Sequence, residues 1–167
     1  TFVARAVDTN AKQLTETLRR AAQHHGSVLV EIYQNCHIYN DGTFDHAKNN
    51  KIKADHVVEL KHGEPLIFGA NADQGIRLNG VDLEVVQLGF EYREADLLVH
   101  DEQAESPAVA QMLAAMSYPH MPEAVGVFRS VRQPTHNELM PDENPTHASR
   151  QKRISELLLG SEPWTVS

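Results

Sequence analysis

A strand, a helix and a second strand with short connections open the sequence, and this pattern constrains the fold more than any other feature. Residues 2–6 have the loose alternation of a strand, and residues 28–33 form a second, largely apolar run. Between them Leu14, Leu18 and Ala21 recur at helical spacing. A connection of this length predicts a right-handed crossover between parallel strands. Ligands of such sheets bind beyond the carboxyl ends of the strands, so the segment after residue 33 is the first place to look for function.

The rest of the chain predicts a smaller α/β region. Residues 37–64 look irregular, and Asn79-Gly80 between two apolar runs is typical of a two-residue β-hairpin turn. Periodicity and end signals predict further strands at 57–60, 97–100 and 125–129, a helix beginning at Ser106-Pro107, a helical turn capped by Thr135 and Glu138, and a helix over 146–159. The fold class is therefore α/β.

Composition excludes several classes of protein. The net charge is −8, and an acidic surface repels phosphate backbones, which argues against general nucleic-acid binding. No apolar run approaches the roughly 20 residues that cross a bilayer. The single cysteine excludes an internal disulfide framework and fits a reducing cytoplasm.

That cysteine, Cys36, lies where the second predicted strand turns into a polar loop. From residue type alone, a lone cysteine at a strand end is usually a small buried side chain. Asn40-Asp41-Gly42 would then be an ordinary surface turn. A thiolate ligand that acts with cysteines from elsewhere is the alternative.

The run over residues 28–44 resembles a stretch found late in the β subunits of 2-oxoacid:ferredoxin oxidoreductases. In that family a strand ending in tyrosine leads to a cysteine, an Asn-Asp-Gly turn and an aromatic residue. The Tyr-Gln-Asn-Cys sequence at 33–36 is more similar to the two-subunit, 2-oxoglutarate-type members than to the large pyruvate enzymes. Three later segments follow in the family's order: Pro65-Leu66-Ile67-Phe68-Gly69, Leu97-Leu98-Val99-His100-Asp101, and Gly126-Val127-Phe128-Arg129 with Arg132-Gln133-Pro134-Thr135.

The resemblance implies a fold and a set of site residues. Residues 1–45 would be the last βαβ unit of a thiamine diphosphate-binding domain, and residues 46–167 a small C-terminal α/β domain with the hairpin. Cys36 matches the position of the fourth thiolate ligand of a [4Fe–4S] cluster. Asn40 and Asp41 would lie in a loop near the edge of the cofactor.

The resemblance also implies an activity. The parent enzyme would decarboxylate a 2-oxoacid, expected to be 2-oxoglutarate, and form an acyl-CoA, CO₂ and reduced ferredoxin with thiamine diphosphate and Mg²⁺. An α subunit is the implied obligate partner. The family's other cysteines and its Gly-Asp-Gly motif are missing from these residues, and the chain opens inside a strand pattern. We therefore expect an upstream half, and we expect this chain alone to bind neither cofactor nor cluster and to be inactive.

Lys48, Lys51 and Lys53 form a local basic patch in an acidic chain. They are either solvated or face the phosphates of coenzyme A or the acidic surface of ferredoxin.

Two alternatives stay open. One is a self-contained α/β interaction module without a cofactor, which is discriminated by the sequence upstream of Thr1. The other is a small metal-dependent hydrolase using Asp41, Asp45 and His46, whose spacing matches no established metal motif and which metal analysis would test.

Overall fold

The computed structural model describes residues 1–140 and 147–160, and the chain divides into two units, Thr1–Pro134 and Thr135–Ser167. The strands are β1 Phe2–Val7, β2 Val28–Tyr33, β3 Val57–Leu60, β4 Ile67–Phe68, β5 Gln74–Asn79, β6 Asp82–Gln87 and β7 Glu123–Ser130. The α-helices are α1 Ala11–Gln23, α2 Asp45–Lys48, α3 Lys53–His56, α4 Ala108–Ala115, α5 His136–Leu139 and α6 His147–Leu159. A 3₁₀ turn spans Glu94–Asp96.

The predicted β1–α1–β2 unit is confirmed. β1 and β2 pair in parallel, with Phe2 opposite Val28 and Val7 opposite Tyr33. Helix α1 begins after Asn10, whose side-chain oxygen accepts a hydrogen bond from the Gln13 N–H at 3.3 Å. This cap satisfies a backbone donor that the first helical turn leaves without a partner.

Four strands form the main sheet in the order β2-β1-β7-β3. β7 runs antiparallel to β1 and parallel to β3, so the sheet is mixed, and the parallel arrangement predicted for the first unit does not extend across it. The carboxyl ends of β1 and β2 therefore lie at the same edge as the beginning of β7. This edge brings Tyr33 at the end of β2 close to Glu123 at the beginning of β7.

Three strands form a second sheet, the hairpin sheet, in the order β4-β5-β6. The predicted hairpin is confirmed, but Asn79 pairs with Asp82, so the two turn residues are Gly80 and Val81 rather than Asn79 and Gly80. Gly80 has a φ of +63°, a conformation that glycine adopts without strain.

The strand predicted at 97–100 is wrong as a regular element. Val99 makes one isolated bridge with Pro65, while the Leu98 carbonyl accepts from the Leu66 N–H and the Leu98 N–H donates to Ile76. Residues 97–100 therefore bond partly to the segment around Leu66 and partly to β5, and no continuous ladder forms.

The largest apolar core lies beneath α4, β3, β7 and the hairpin sheet. Helix α4 contributes Leu113, which is fully buried, and Met116 packs beside it. The other buried members are Val58, Leu60, Leu66, Phe68, Ile76, Ala124 and Phe128. The predicted N-cap is displaced by one residue: α4 begins at Ala108 with Pro107 at its N-cap position, while the Ser106 hydroxyl accepts from the Ala108 N–H at 3.3 Å.

Segments 37–64 and 135–160 differ from the sequence prediction in detail. Two four-residue helices, α2 and α3, lie in a stretch predicted to be irregular. The prediction missed them because helices this short show no periodicity in the sequence. In the second unit the Thr135–Glu138 capping box is confirmed, and α6 covers most of the predicted last helix. The predicted start at Thr146 lies outside the described residues.

β7 belongs to the second of the two predicted domains and lies beside β1 of the first; the boundary at residue 45 stays a prediction. Over the described ranges, no helix is both long enough and apolar enough to span a membrane.

Candidate functional site: the Cys36 loop and the buried Glu123 cluster

Residues 34–44, the Cys36 loop, present the thiol at the surface. Cys36 is exposed, so the interpretation of a buried lone cysteine is wrong. The loop turns back at once, because the Asn40 N–H donates to the Cys36 carbonyl at 2.9 Å. Hydrogen bonds from the Tyr39 and Ile38 N–H groups lower the pKa of the Cys36 thiol. The loop therefore favours the thiolate, which is the metal-binding form of cysteine.

Asn35 closes the loop from the inside. Its side-chain oxygen accepts from the Gly42 N–H at 2.9 Å, and its amide nitrogen donates to Asp41 Oδ1 at 2.7 Å. His37 Nδ1 also contacts that oxygen, at 3.0 Å. The bonds from Asn35 and then His37 lower the pKa of Asp41. The backbone around Cys36 is thus held by a side chain next to it in sequence.

The two residues predicted to lie near the cofactor, Asn40 and Asp41, are both exposed, and their side chains bond within the loop. Asn40 accepts from the Thr43 hydroxyl, and Asp41 accepts from Asn35 and His37. Their direct contacts shape the loop. Ile38 and Tyr39 are 84% and 89% exposed, so two large apolar side chains flank the thiol on the surface.

Beneath the loop lies a group of buried polar side chains that sequence reasoning missed. We define the Glu123 cluster as Arg5, Tyr33, His46 and Glu123, all of which are buried. The Tyr33 hydroxyl donates to Glu123 Oε2 at 2.9 Å, and Arg5 Nη1 donates to the same oxygen at 3.3 Å. His46 Nε2 faces Glu123 Oε1 at 3.6 Å. One carboxylate therefore joins residues from β1, β2, α2 and β7.

Arg5 is the cation of this cluster and uses most of its donors. Its Nε donates to Glu31 at 2.8 Å, and its Nη2 donates to the Ala114 carbonyl at 3.2 Å. Its guanidinium also lies 5.1 Å from the centroid of the Tyr33 ring. Burial and the bond to Glu123 raise the pKa of the Tyr33 hydroxyl, against the opposing effect of Arg5, so this hydroxyl remains a donor. One feature of the sequence points to this cluster. Arg5 stands in an otherwise apolar strand, and a buried charge requires a partner.

The three lysines predicted as one patch have different environments. Lys48 Nζ pairs with Asp8 Oδ1 at 2.8 Å, and its side chain is only 16% exposed. Lys51 lies in an exposed turn. Lys53 lines a cavity of about 550 Å³ at the carboxyl end of β1, together with Asn10 and Glu59 among others. Of these three lysines, Lys48 is therefore the least available to a partner or a phosphate.

The geometry does not support a metal-dependent hydrolase. Asp41 pairs with His37, and His46 turns inward to Glu123. Across 1–140 and 147–160, no group of three or more His, Cys, Asp or Glu side chains is arranged to hold a metal ion.

Comparison with known proteins finds a relative that matches nearly all of this chain. No protein-family model matches it, and no solved structure matches it significantly. The 2-oxoglutarate oxidoreductase subunit KorB of Mycobacterium tuberculosis is 37% identical over 171 residues, a match that takes in 99% of this chain and 45% of KorB. The chain thus spans less than half the length of that relative. The resemblance inferred from the sequence is confirmed: the chain is homologous to a β subunit of a 2-oxoacid oxidoreductase.

Proposed function

We propose that this chain is part of the β subunit of a 2-oxoglutarate:ferredoxin oxidoreductase, and that Cys36 is a thiolate ligand of its [4Fe–4S] cluster. The similarity to KorB over nearly all of the chain carries the proposal. The parent enzyme would convert 2-oxoglutarate, coenzyme A and oxidised ferredoxin into an acyl-CoA, CO₂ and reduced ferredoxin.

The chemistry of the Cys36 loop fits a cluster ligand. The thiol is exposed, and the nearby backbone N–H groups of Tyr39 and Ile38 lower its pKa. Hydrogen bonds to ligand sulfurs are among the features that set the reduction potential of an iron–sulfur cluster. The exposed Ile38 and Tyr39 side chains would exclude water beside the cluster once the rest of the subunit covers them.

The remaining ligands must come from outside these 167 residues. A [4Fe–4S] cluster requires four thiolates, and the sequence contains a single cysteine. We propose that the other three, with the site for the diphosphate and Mg²⁺, belong to the part of the subunit that the match to KorB leaves uncovered. By this proposal the isolated chain is inactive.

Thiamine diphosphate, when bound, supplies the electron sink for decarboxylation. This chain would bring the Cys36 loop to the cofactor, with Asn40 and Asp41 at the near edge. Lys51 and Lys53 would face the phosphates of coenzyme A or acidic side chains of ferredoxin. An α subunit would complete the site, and the complex would work in the cytoplasm.

The test uses the full-length subunit, expressed with its α subunit, as wild type and as Cys36→Ser. We expect the variant to lose its four-iron electron paramagnetic resonance signal and its 2-oxoglutarate-dependent reduction of ferredoxin. Gln34→Ala is the matched control, since Gln34 is an exposed residue of the same loop. A full iron content and an unchanged signal in Cys36→Ser would overturn the proposal and favour a cofactor-free interaction module.

A further inference from the structure

The two ends of the Cys36 loop are joined by a pair of stacked aromatic rings. Tyr33, the last residue of β2, precedes the loop, and Phe44 is its last residue. Their rings stack with centroids 4.1 Å apart and planes inclined by 17°. Since Tyr33 is 7% exposed, this stack fixes the ends of the loop against the interior of the protein.

Glu123 holds the same two ends from below. Its Oε2 accepts from the Tyr33 hydroxyl at 2.9 Å, and its Oε1 faces His46, two residues after Phe44, at 3.6 Å. The His46 ring stacks on Tyr118 at 4.3 Å, and the Tyr118 N–H donates to Glu123 Oε1 at 3.3 Å. The carboxylate therefore contacts the residues that flank the loop on each side.

We infer that Tyr33 and Glu123 are positioning residues that fix the Cys36 loop on the main sheet and so set the direction in which the cysteine sulfur is presented to the cluster. The inference rests on the proposed function for its link to the cluster, while the anchoring itself is a property of this chain. Neither residue contacts the reacting atoms. Both act through the loop, whose interior is already closed by Asn35.

The first test uses the 167-residue chain without any cluster. Hydrogen–deuterium exchange of the backbone amides of residues 35–44 is compared in wild type, Tyr33→Phe and Phe44→Leu. Loss of the hydroxyl or of the stack should increase exchange in this loop by at least about tenfold, because a buried hydrogen bond to a charged group is lost in the first case and the ring contact in the second. Amides in the centres of β1 and β7 should keep their protection.

Tyr92→Phe is the matched control. It removes a tyrosine hydroxyl from another part of the first unit, where the Tyr92 ring packs under Arg77 beside the hairpin sheet. Its loop exchange should equal that of wild type. Loop exchange in Tyr33→Phe and Phe44→Leu equal to that of Tyr92→Phe would overturn the inference, and so would an equal acceleration over the whole chain.

The second test uses the reconstituted full-length subunit and separates the inference from the proposed function. Tyr33→Phe should retain the iron but shift the g-values of the reduced cluster, a change that Tyr92→Phe should not cause. If Tyr33→Phe gives the wild-type spectrum, the inference fails, while the role of Cys36 stands. If Cys36→Ser keeps a full iron content and the wild-type signal, the proposed function fails whatever Tyr33 does.

Discussion

The main sheet and the hairpin sheet differ in where their charged side chains lie. Where the loop leaves the main sheet, Arg5 and Glu123 are buried, at 8% and 5% exposure, and bond to each other. The core side of the hairpin sheet is apolar, with Ile76 fully buried. Its ion pair, Arg77 with Glu84, lies at the surface.

The two regions are held together in different ways. Directional hydrogen bonds orient the side chains under the main sheet, whereas close packing of apolar side chains fills the core under the hairpin sheet. A buried ion pair adds little to net stability compared with an apolar replacement of both partners, but removing one partner is costly. It does, however, fix the relative orientation of the elements it joins. The polar cluster lies under the loop that carries Cys36, and the apolar core lies under a hairpin to which no site is assigned.

Glu123→Leu should have the largest effect and would test the polar side of the comparison. The change leaves Arg5 with only the half-exposed Glu31 as a charged partner and leaves the Tyr33 hydroxyl without its acceptor. We expect a loss of about 3–5 kcal/mol in the free energy of unfolding, measured by urea denaturation.

Glu123→Gln is its control, since the amide keeps one oxygen acceptor in place and should cost less. A Glu123→Leu protein as stable as wild type would mean that the cluster is no more demanding than an apolar core, and the comparison would fail.

Ile76→Ala tests the apolar side and should have the next largest effect. The side chain is fully buried in the core shared with Leu66 and Phe68, so truncation removes packing and leaves a cavity. We expect a loss of about 2–4 kcal/mol by the same measurement, with no change in the exchange of loop amides 35–44. Increased loop exchange in this variant would show that the two regions are coupled.

Local signals in the sequence predict local structure well here. Asn10 caps the start of α1, and Gly80 lies in the hairpin turn, because caps and turns depend on a few neighbouring residues. The turn was displaced by one residue, since both Asn79 and Gly80 suit a turn and the strand register decides between them. Cys36 was singled out by residues around it, and its loop lies where the sequence predicts.

Long-range pairing was not predictable in the same way. Arg5 and Glu123 are 118 positions apart, and nothing near either residue specifies the other. Their contact depends on β7 entering the sheet antiparallel to β1, a topology that strand propensity does not encode. His46, a candidate metal ligand only in the alternative of a metal-dependent hydrolase, turns inward for the same reason.

A change at His100 should have an intermediate effect on the free energy of unfolding. This residue is buried and polar, and its direct hydrogen-bond contact is with a backbone carbonyl and not with a charged side chain. Its Nε2 contacts the Val127 carbonyl at 2.7 Å, and burial lowers its pKa below the ordinary 6.5, against the effects of Val127 and Glu102. Above that value folded and unfolded states are both neutral. As the pH falls below it, the unfolded state takes up a proton first, so stability decreases.

The measurement is the free energy of unfolding at pH 7 and pH 5 in wild type and His100→Gln. We expect a smaller decrease in the variant, because one group that favours the unfolded state at low pH is gone. Equal decreases in the two proteins would show that His100 titrates alike in both states.

Arg77→Met should have the smallest effect and completes the comparison. The Arg77 and Glu84 side chains are 26% and 34% exposed, so solvent already screens their attraction. We expect a melting temperature within experimental error of wild type. A loss of stability as large as that of Glu123→Leu would mean that buried and surface ion pairs contribute equally to stability in this protein.

The position of β2 has a consequence for handling the chain. β2 lies at the edge of the main sheet, although Val-Leu-Val-Glu-Ile-Tyr has the composition of an interior strand, and Leu29 and Ile32 are 63% and 42% exposed. Among the described residues no strand pairs with its outer side, so one row of its backbone donors and acceptors is available to another extended segment. We expect the isolated chain to lose solubility and to melt differently as its concentration rises, so stability measurements should be made over a dilution series.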